Sequence, residues 1–369
     1  MRALGIDPGT KSFDICCIED DAVNVVLDES ISTDIVAEDP TYVLETIKSV
    51  KPDVILGPSG YGLEFKHITQ FREEDVSLTT LDKDGDVEIP VLLGLRKLLW
   101  MMKEAGLNAY SIPGAILLPT IPLHRKLNKI DMGTADKTCV AAMAVWDQAE
   151  EYGLRYNETS LICVEMGFGY NAAIAVENGQ IIDGIGGTIF PALSYLSSGQ
   201  IDGEVAYLLG ELSKMDLFQA GATFIAAGKI LEVKDFFAKV GEKSYQLAWE
   251  GMVEGIIKAV AMLLTAFSKQ PKEIILTGRL SRVNVVQRRL EKVLSEKFGI
   301  VTRRPKHMFA ERAKEAAQGA ALLANGIFGG KYAGLAEAMK IKEAKGTVID
   351  YIYFMKFDKK RVLEKLRSA

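Results

Sequence analysis

The pattern of predicted strands and helices occurs twice along the chain. Apolar or alternating runs that predict strands open each series, at residues 2–7, 13–19, 23–31, 160–169 and 171–184. Asn178-Gly179 interrupts the last of these runs and is a strong signal for a tight hairpin turn. Helices and strands alternate after each set, which is typical of α/β domains. The chain therefore predicts an internally duplicated α/β fold without strong sequence identity between the halves.

Further elements follow in each half. Strands are predicted at residues 53–57, 109–118, 273–278 and 300–303. Helices are predicted near residues 41–50, 91–105, 136–151, 202–268, 283–297, 310–327 and 358–367. Because 369 residues exceed the usual size of one hydrophobic core, two domains are expected. We predict an N-terminal domain over 1–155, completed by 335–369, and a C-terminal nucleotide-binding domain over 156–334.

Composition excludes several classes of partner. Lys and Arg total 44 against 49 Asp and Glu, for a formal net charge of −5, so nucleic acid is not an expected partner. The four cysteines lack metal-ligand spacing and are expected as reduced core residues. The most apolar predicted helix, over 253–267, contains Glu254 and Lys258 and is too short to span a bilayer. We expect a cytoplasmic, soluble protein with no membrane partner.

A turn with an acid and glycines follows the first strand of the first half. Residues 5–11 read GIDPGTK, with Asp7 at the end of the strand and Gly9, Thr10 and Lys11 in the turn. Backbone N–H groups of such a turn can form an anion site, and the carboxylate can hold a hydrated Mg²⁺. The same residues also suit an ordinary turn between strands. The motif becomes informative only if the second half repeats it.

The second half contains a corresponding turn. Residues 165–171 read EMGFGYN and place Glu165, Gly167 and Gly169 at the end of a predicted strand. Two such turns on pseudo-symmetric domains are expected to face each other across a cleft, each holding one side of a polyphosphate.

Two loops are candidates for the reacting side of that cleft. Residues 119–137 are rich in charge, and Arg125 with Lys126 and Asp131 offer cations for phosphoryl oxygens and a carboxylate for an acceptor proton. A plain loop before a helix capped near Asp136 would have the same composition. The glycine-rich residues 57–62 follow a buried strand and predict either a substrate-side loop or a mobile connection.

Three motifs in this order resemble those of the acetate and sugar kinase/Hsp70/actin superfamily of ATPases. Residues 5–11 resemble its phosphate-1 motif, 165–171 its phosphate-2 motif and 274–280 its adenosine motif. The resemblance covers most of the chain and implies two duplicated ribonuclease-H-like (actin-like ATPase) domains with a nucleotide cleft between them. Residues 178–184 and 310–321 further resemble the acetate/butyrate kinase branch, and an uncharacterised archaeal butyrate-kinase-like family in particular.

The resemblance implies ATP and Mg²⁺ as cofactors. Asp7 and Glu165 are the implied metal and catalytic residues, with Arg125 and Asp131 as further catalytic candidates from the charged loop. The implied nucleotide-binding residues are Gly9, Thr10, Lys11, Gly167, Gly169, Tyr170, Asn171, Gly186, Gly187, Thr188, Gly278, Arg279, Glu311 and Glu315. Residues 186–188 also suit a simple tight turn. Glu165 stands where the wider superfamily usually has aspartate, and the arginine-bearing Ser-Ser-Asp segment of acetate kinases has no match.

These features predict an ATP-dependent kinase of a small molecule, with a short-chain carboxylate as the acceptor that the butyrate-kinase resemblance implies. The alternative is an ATP-hydrolysing switch that docks a partner protein, which the missing arginine segment and the aromatic residues near the C-terminus favour. A non-catalytic remnant that fails to bind ATP is a third interpretation. A homodimer is one option for the assembly.

Overall fold

The structure is a computed structural model that describes residues 1–191 and 193–367. Its strands are β1 (Arg2–Pro8), β2 (Ser12–Glu19), β3 (Val25–Ser32), β4 (Val54–Leu56), β5 (Ala109–Tyr110), β6 (Ser160–Met166), β7 (Asn171–Glu177), β8 (Gln180–Gly186), β9 (Glu273–Thr277) and β10 (Val301–Arg303). Its helices are α1 (Thr33–Glu38), α2 (Thr41–Ser49), α3 (Glu73–Thr80), α4 (Pro90–Glu104), α5 (Leu123–Lys126), α6 (Ala135–Tyr152), α7 (Gly203–Leu209), α8 (Lys214–Phe218), α9 (Ala222–Ala227), α10 (Val233–Ala238), α11 (Lys243–Leu264), α12 (Asn284–Phe298), α13 (Glu315–Ile327), α14 (Ala333–Met339) and α15 (Lys359–Leu363).

The two halves build sheets of identical topology. The first has the order β3-β2-β1-β4-β5, and the second has the order β8-β7-β6-β9-β10. In each sheet the first three strands form an antiparallel meander, and the last two run parallel to the first. The duplication predicted from the strand pattern is therefore confirmed at the level of strand order and direction.

The hairpin between β7 and β8 turns at the predicted dipeptide. Glu177 pairs with Gln180, so Asn178 and Gly179 alone form the connection. Both have positive φ, 55° and 72°, as a type I′ turn requires. An asparagine and a glycine tolerate this backbone region at low cost, which explains why the turn was readable from sequence.

A helix from each half packs against structure of the other half. α13 lies on β1, β2 and β4 of the first sheet, and α6 packs on α13 and also contacts β6 and β7. Gly5 of β1 permits this approach, because a Cβ there would lie 2.3 Å from the carbonyl oxygen of Ala317. The two crossing helices therefore tie the sheets together through their buried faces.

Gly319→Ala is expected to destabilise the fold by about 1–3 kcal/mol through overpacking. A Cβ at Gly319 would lie 1.9 Å from the carbonyl oxygen of Cys139 on α6, so the helices would have to separate. Chemical denaturation measures the change in free energy of unfolding. Gly203→Ala is the matched control, because nothing lies within 4 Å of a Cβ at that helical glycine. Equal stabilities of the two variants would contradict the prediction.

Two predicted boundaries are wrong by several residues, and the helix predicted near 358–367 spans only Lys359–Leu363. The strand expected over 109–118 is only Ala109–Tyr110, because Pro113 has no N–H for a ladder and a 3₁₀ turn follows at Ala115–Leu117. The helix expected over 310–327 begins at Glu315. The backbone N–H groups of Glu311 and Ala313 donate to the Asp28 carboxylate, both at 2.7 Å, which holds that segment as a loop.

The C-terminal segment contacts the first half of the chain. The backbone N–H of Tyr353 donates to Asn128 Oδ1 at 2.7 Å, and that of Arg367 donates to the carbonyl oxygen of Asp82 at 2.9 Å. The domain division at 155 and 334, with completion of the N-terminal domain by 335–369, stays a prediction.

Two predictions from composition concern the core and the helices. The four cysteines are buried free thiols, as predicted. Within residues 1–191 and 193–367, no helix is long and apolar enough to cross a membrane.

Candidate active site

A cleft lies at the carboxyl ends of β1 and β6, the central strands of the two sheets. Both halves contribute to its walls around a cavity of about 170 Å³. Its charged and phosphate-turn lining comprises Asp7, Gly9, Thr10, Lys11, Ser12, Asp131, Asp136, Lys137, Glu165, Gly167, Gly169, Tyr170, Asn171, Gly187, Lys214, Arg279 and Lys314. The carboxyl edge of parallel strands is where ligands bind in α/β folds, so this position is the expected one for a site.

The two predicted phosphate turns have the same geometry. The N–H of Gly9 donates to the carbonyl oxygen of Ser12 at 3.0 Å, and the N–H of Gly167 donates to that of Tyr170 at 3.0 Å. A Cβ at either glycine would lie within 2.7 Å of the carbonyl that it faces. Glycine is therefore needed for closure of both turns.

The turns also lie against each other. A Cβ at Gly169 would lie 2.7 Å from Thr10 Oγ1, so the second turn approaches the first through a glycine. Lys11 extends over the Phe168 ring, with its amine 4.7 Å from the ring centroid, and pairs with Glu232 at 2.8 Å. The contacts of Gly169 with Thr10 and of Phe168 with Lys11 therefore place the two turns face to face, as expected.

Asp7 and Glu165 occupy equivalent positions, one residue before the end of β1 and of β6. Both are buried, and burial raises the pKa of Asp7 to about 7, with nearby Asp136 adding to the effect. Burial also raises the pKa of Glu165. Asp7 Oδ1 has no hydrogen-bond partner within the described ranges, so this buried oxygen remains available to a ligand.

Asp136 and Lys137 join this pair from the first turn of α6. Lys137 contacts Asp136 directly and lies 3.1 Å from Glu165 Oε2. Burial alone would lower the pKa of Lys137, but Asp136 and Glu165 together raise it. Sequence reasoning assigned neither residue a role at the site. An acid followed by a lysine at a helix start after a glycine was the available signal.

Lys314 and Arg279 bring positive charge to the first turn. The Lys314 amine donates to Ser12 Oγ at 2.8 Å and contacts the buried Asp14 carboxylate. Arg279 NH2 donates to Ser12 Oγ at 3.2 Å. Burial lowers the pKa of Lys314. Arg279 was predicted, whereas Lys314 was missed, because it precedes α13 and reaches the cleft only through the packing of that helix on the first sheet.

Asp131 contacts the glycine pair at the end of β8, Gly186 and Gly187. Its Oδ1 accepts the Gly133 N–H at 2.9 Å, and Cβ atoms at Gly186 and Gly187 would lie 2.6 and 2.4 Å from its carboxylate oxygens. Burial raises the pKa of Asp131. Asp131 and Gly187 line the cleft, while Gly186 supports Asp131 from behind and Thr188 lies outside the lining.

Some predicted residues lie away from the cleft. Arg125 donates to the carbonyl oxygen of Ile182 in β8 at 2.7 Å and to that of Ala266 after α11 at 3.4 Å, so its guanidinium binds backbone of the second half. Glu311 is exposed. Glu315 is buried and pairs with Arg282 at 3.3 Å.

Gly278 stands behind Glu165. A Cβ at that position would lie 2.6 Å from Glu165 Oε1, and its φ of 82° favours glycine. Asn171 lines the cleft and is buried, with its Nδ2 donating to the carbonyl oxygen of Leu193 at 3.3 Å. Tyr170 packs edge-on against Phe218, with ring centroids 4.8 Å apart.

These groups fit a Mg²⁺ nucleotide. The orphaned Asp7 oxygen, the paired glycine turns and the lysines are complementary to hydrated Mg²⁺ and to phosphate oxygens. No group of three or more His, Cys, Asp or Glu with metal-binding geometry occurs in the part of the chain that the structure describes. Mg²⁺ bound with phosphates needs only one or two protein carboxylates, so this finding is compatible with the fit.

The fold and the duplicated turns define the class of duplicated actin-like ATPase folds, and solved structures agree. A propionate kinase from Francisella tularensis subsp. tularensis SCHU S4 has a TM-score of 0.60 at 14% identity, over 86% of this chain and 98% of that one. The acetate kinase from Entamoeba histolytica has a TM-score of 0.57 at 12% identity, over 80% and 87%. Porphyromonas gingivalis acetate kinase has a TM-score of 0.57 at 14% identity, over 87% and 98%. The predicted fold class is confirmed.

The chain itself belongs to the family described as "Protein of unknown function (DUF1464)", whose model matches residues 5–354. None of the curated proteins matches it in sequence. The narrower resemblance to an archaeal butyrate-kinase-like family stays a prediction.

Proposed function

We propose that the protein is an ATP-dependent phosphotransferase that acts on a small molecule. The observation that carries this proposal is the pair of equivalent glycine turns, closed at Gly9 and Gly167, that meet in one cleft with Asp7 and Glu165 at their bases. Backbone N–H groups of such turns form anion sites, so two facing turns would hold phosphates from two sides. The similar solved structures include acetate and propionate kinases, which supports the same class of reaction.

The cleft residues would have different roles according to their positions. Asp7 and Glu165 would hold the shell of a Mg²⁺ ion, which supplies charge neutralisation of the phosphates when bound. The N–H groups of the two turns and the amine of Lys11 would bind phosphate oxygens. Arg279 lies beside Ser12 at the adenosine-motif side of the cleft. Closure of the halves would exclude water from the reacting groups.

A short-chain carboxylate is the finer proposal for the acceptor. It rests on the sequence resemblance to the acetate/butyrate kinase branch and on the structural similarity to acetate and propionate kinases. Arg125 loses support as a reacting cation, because its guanidinium is bound to backbone carbonyls of the second half.

An exposed apolar surface near the C-terminus supports a second candidate function. Tyr353, Phe354 and Met355 are exposed near the C-terminus, with 59%, 66% and 104% of their surfaces accessible. Exposed aromatic residues are common in binding surfaces. They support the alternative of an ATP-hydrolysing switch that docks a partner protein, in which Lys11 exchanges Glu232 for a nucleotide phosphate.

Mg-ATP is expected to stabilise the protein by about 2.7 kcal/mol at a concentration of one hundred times its Kd. Thermal unfolding with ATP, ADP and Mg²⁺ separately and together measures this effect. Omission of Mg²⁺ is expected to reduce it, because Asp7 and Glu165 then face phosphate oxygens without a bridging cation. Absence of any stabilisation by Mg-ATP would contradict both the kinase and the switch proposals. Turnover that rises with a small acceptor favours the kinase, whereas ATP-sensitive release of a bound protein favours the switch.

A further inference from the structure

One wall of the cleft belongs to neither phosphate turn. Helix α4 contributes Val91, Leu92 and Leu95, which are buried apolar residues. Tyr61 from the glycine-rich loop after β4 and Phe218 from α8 complete this wall. An apolar wall with few polar groups is typical of the part of a site that holds the body of a small molecule.

Lys214 places an amine in this wall. Its Nζ donates to Tyr61 Oη at 2.9 Å and to the carbonyl oxygen of Leu81 at 3.4 Å. Burial lowers the pKa of Lys214 to about 8. No carboxylate of the described residues forms a salt bridge with this amine, although the charges of Asp82, Asp131 and Asp86 raise its pKa against the effect of burial. An ammonium that is partly withdrawn from water and has no salt bridge gains stability when an anion joins it.

The other lysines that line the cleft already have acidic partners. These pairs are Lys11 with Glu232, Lys137 with Asp136 and Glu165, and Lys314 with Asp14. Lys214 is therefore the cleft lysine, among the residues that the structure describes, that has no salt-bridge partner and can pair with the anion of a ligand.

Asp131 lies in the same cleft as Lys214, and their charges interact. Only one of its oxygens accepts the Gly133 N–H. A buried carboxylate repels an acceptor carboxylate, but it accepts the proton of an acceptor hydroxyl. The wall therefore combines a cation for a negative group with a base for a hydroxyl.

We propose that the phosphoryl acceptor is a small hydroxy acid, whose carboxylate binds Lys214, whose apolar body packs on α4 and whose hydroxyl faces Asp131. This inference rests on the proposed phosphotransferase function and changes its acceptor group: a hydroxyl, in place of the carboxylate that the sequence resemblance implies, receives the phosphoryl group. In the transfer, the hydroxyl oxygen forms a bond to the γ-phosphorus of ATP, and the bond from that phosphorus to the β–γ bridging oxygen breaks. ADP leaves with the electron pair, and the hydroxyl proton passes to Asp131.

Three probes with the same four-carbon skeleton test the acceptor on the wild-type protein. They are 3-hydroxybutyrate, butyrate without the hydroxyl, and 1,3-butanediol without the charge. Calorimetry without nucleotide is expected to show the two acids binding at least about tenfold more tightly than the diol, because only they pair with the amine. With Mg-ATP, only the hydroxy acid is expected to raise ADP formation. Butyrate turnover equal to that of the hydroxy acid, or diol binding equal to that of the acids, overturns the proposal.

Lys214→Met is expected to weaken hydroxybutyrate binding at least about tenfold and to leave stabilisation by Mg-ATP unchanged. Lys214→Arg keeps the charge and is expected to retain most of the binding. Lys83→Met is the matched control, because exposed Lys83 donates to the carbonyl oxygen of Leu212 in the adjacent segment outside the cleft lining. Asp131→Asn is expected to lower kcat more than it changes acceptor KM.

The two proposals fail in different ways. If Mg-ATP stabilises the protein and a neutral acceptor is phosphorylated independently of Lys214, the hydroxy-acid inference is wrong and the phosphotransferase stands. If Mg-ATP has no effect on stability, the phosphotransferase itself is wrong.

Discussion

Asp7→Asn is expected to lower Mg-ATP turnover by about 10²–10³-fold, because it removes a preorganised charge at the phosphates. It is also expected to abolish the Mg²⁺-dependent part of ATP stabilisation. The oxygen Asp7 Oδ1 is buried and has no hydrogen-bond partner in residues 1–191 and 193–367, so a neutral amide there keeps the shape and removes the ligand charge. Turnover and thermal unfolding with and without Mg²⁺ measure the two effects.

Without ligand, Asp7→Asn is expected to be more stable than the wild-type protein above a pH of about 7. Burial and Asp136 raise the pKa of Asp7 from its ordinary 3.8 to about 7, so the folded state binds this proton more tightly than the unfolded state. The stability that this proton gives the folded state is complete below pH 3.8, the ordinary pKa of the group. It is lost as the pH rises to about 7, the pKa of Asp7 in the folded state. Asparagine does not titrate, so the free energy of unfolding of Asp7→Asn rises relative to that of the wild type between pH 3.8 and about 7.

Asp34→Asn is the control for both effects, because Asp34 is exposed on α1. Full Mg²⁺-dependent turnover in Asp7→Asn would contradict the proposed role of Asp7. A stability difference between wild type and Asp7→Asn that does not change with pH would contradict the buried, proton-binding state of the carboxyl group.

The fold was readable from the sequence where its signals are local. The meanders alternate in hydrophobicity, and the turns at Gly9, Gly167 and Asn178-Gly179 each use residues that suit a tight backbone. The prediction of a strand over 109–118 is wrong because it rested on the hydrophobicity of the segment, although Pro113-Gly114 in its middle disfavours a strand. An apolar run alone does not distinguish a ladder strand from a buried loop.

The site was readable only in part, because packing decides which charged residues converge. Glu165 and Asp7 follow strands, so their direction is fixed by the sheet. Lys314 reaches Asp14 across 300 residues of sequence, through contact of α13 with the first sheet. Arg125 has the right charge, but it points to the backbone at Ile182. Composition gives no information on the direction in which a loop side chain points.

Arg303 links the far end of α6 to the second sheet through two buried acids. Its Nε and NH2 donate to both oxygens of Glu273 at 2.7 and 2.8 Å, and its NH1 donates to Asp147 Oδ2 at 2.5 Å. Asp147 and Glu273 have 0% and 1% exposed side chains. Since α6 carries Asp136 and Lys137 at its other end, this cluster anchors the helix that brings them to the cleft.

Arg303→Met is expected to lower the free energy of unfolding by about 3–5 kcal/mol, because two buried carboxylates lose their cation. Chemical denaturation monitored by circular dichroism measures the loss. Arg289→Met is the matched control and is expected to cost less than about 1 kcal/mol, because its pair with Glu250 is exposed. The triple variant with Asp147→Asn and Glu273→Gln is expected to recover part of the stability, since it removes the unpaired charges. A single-variant loss no larger than that of the control would contradict this account of α6.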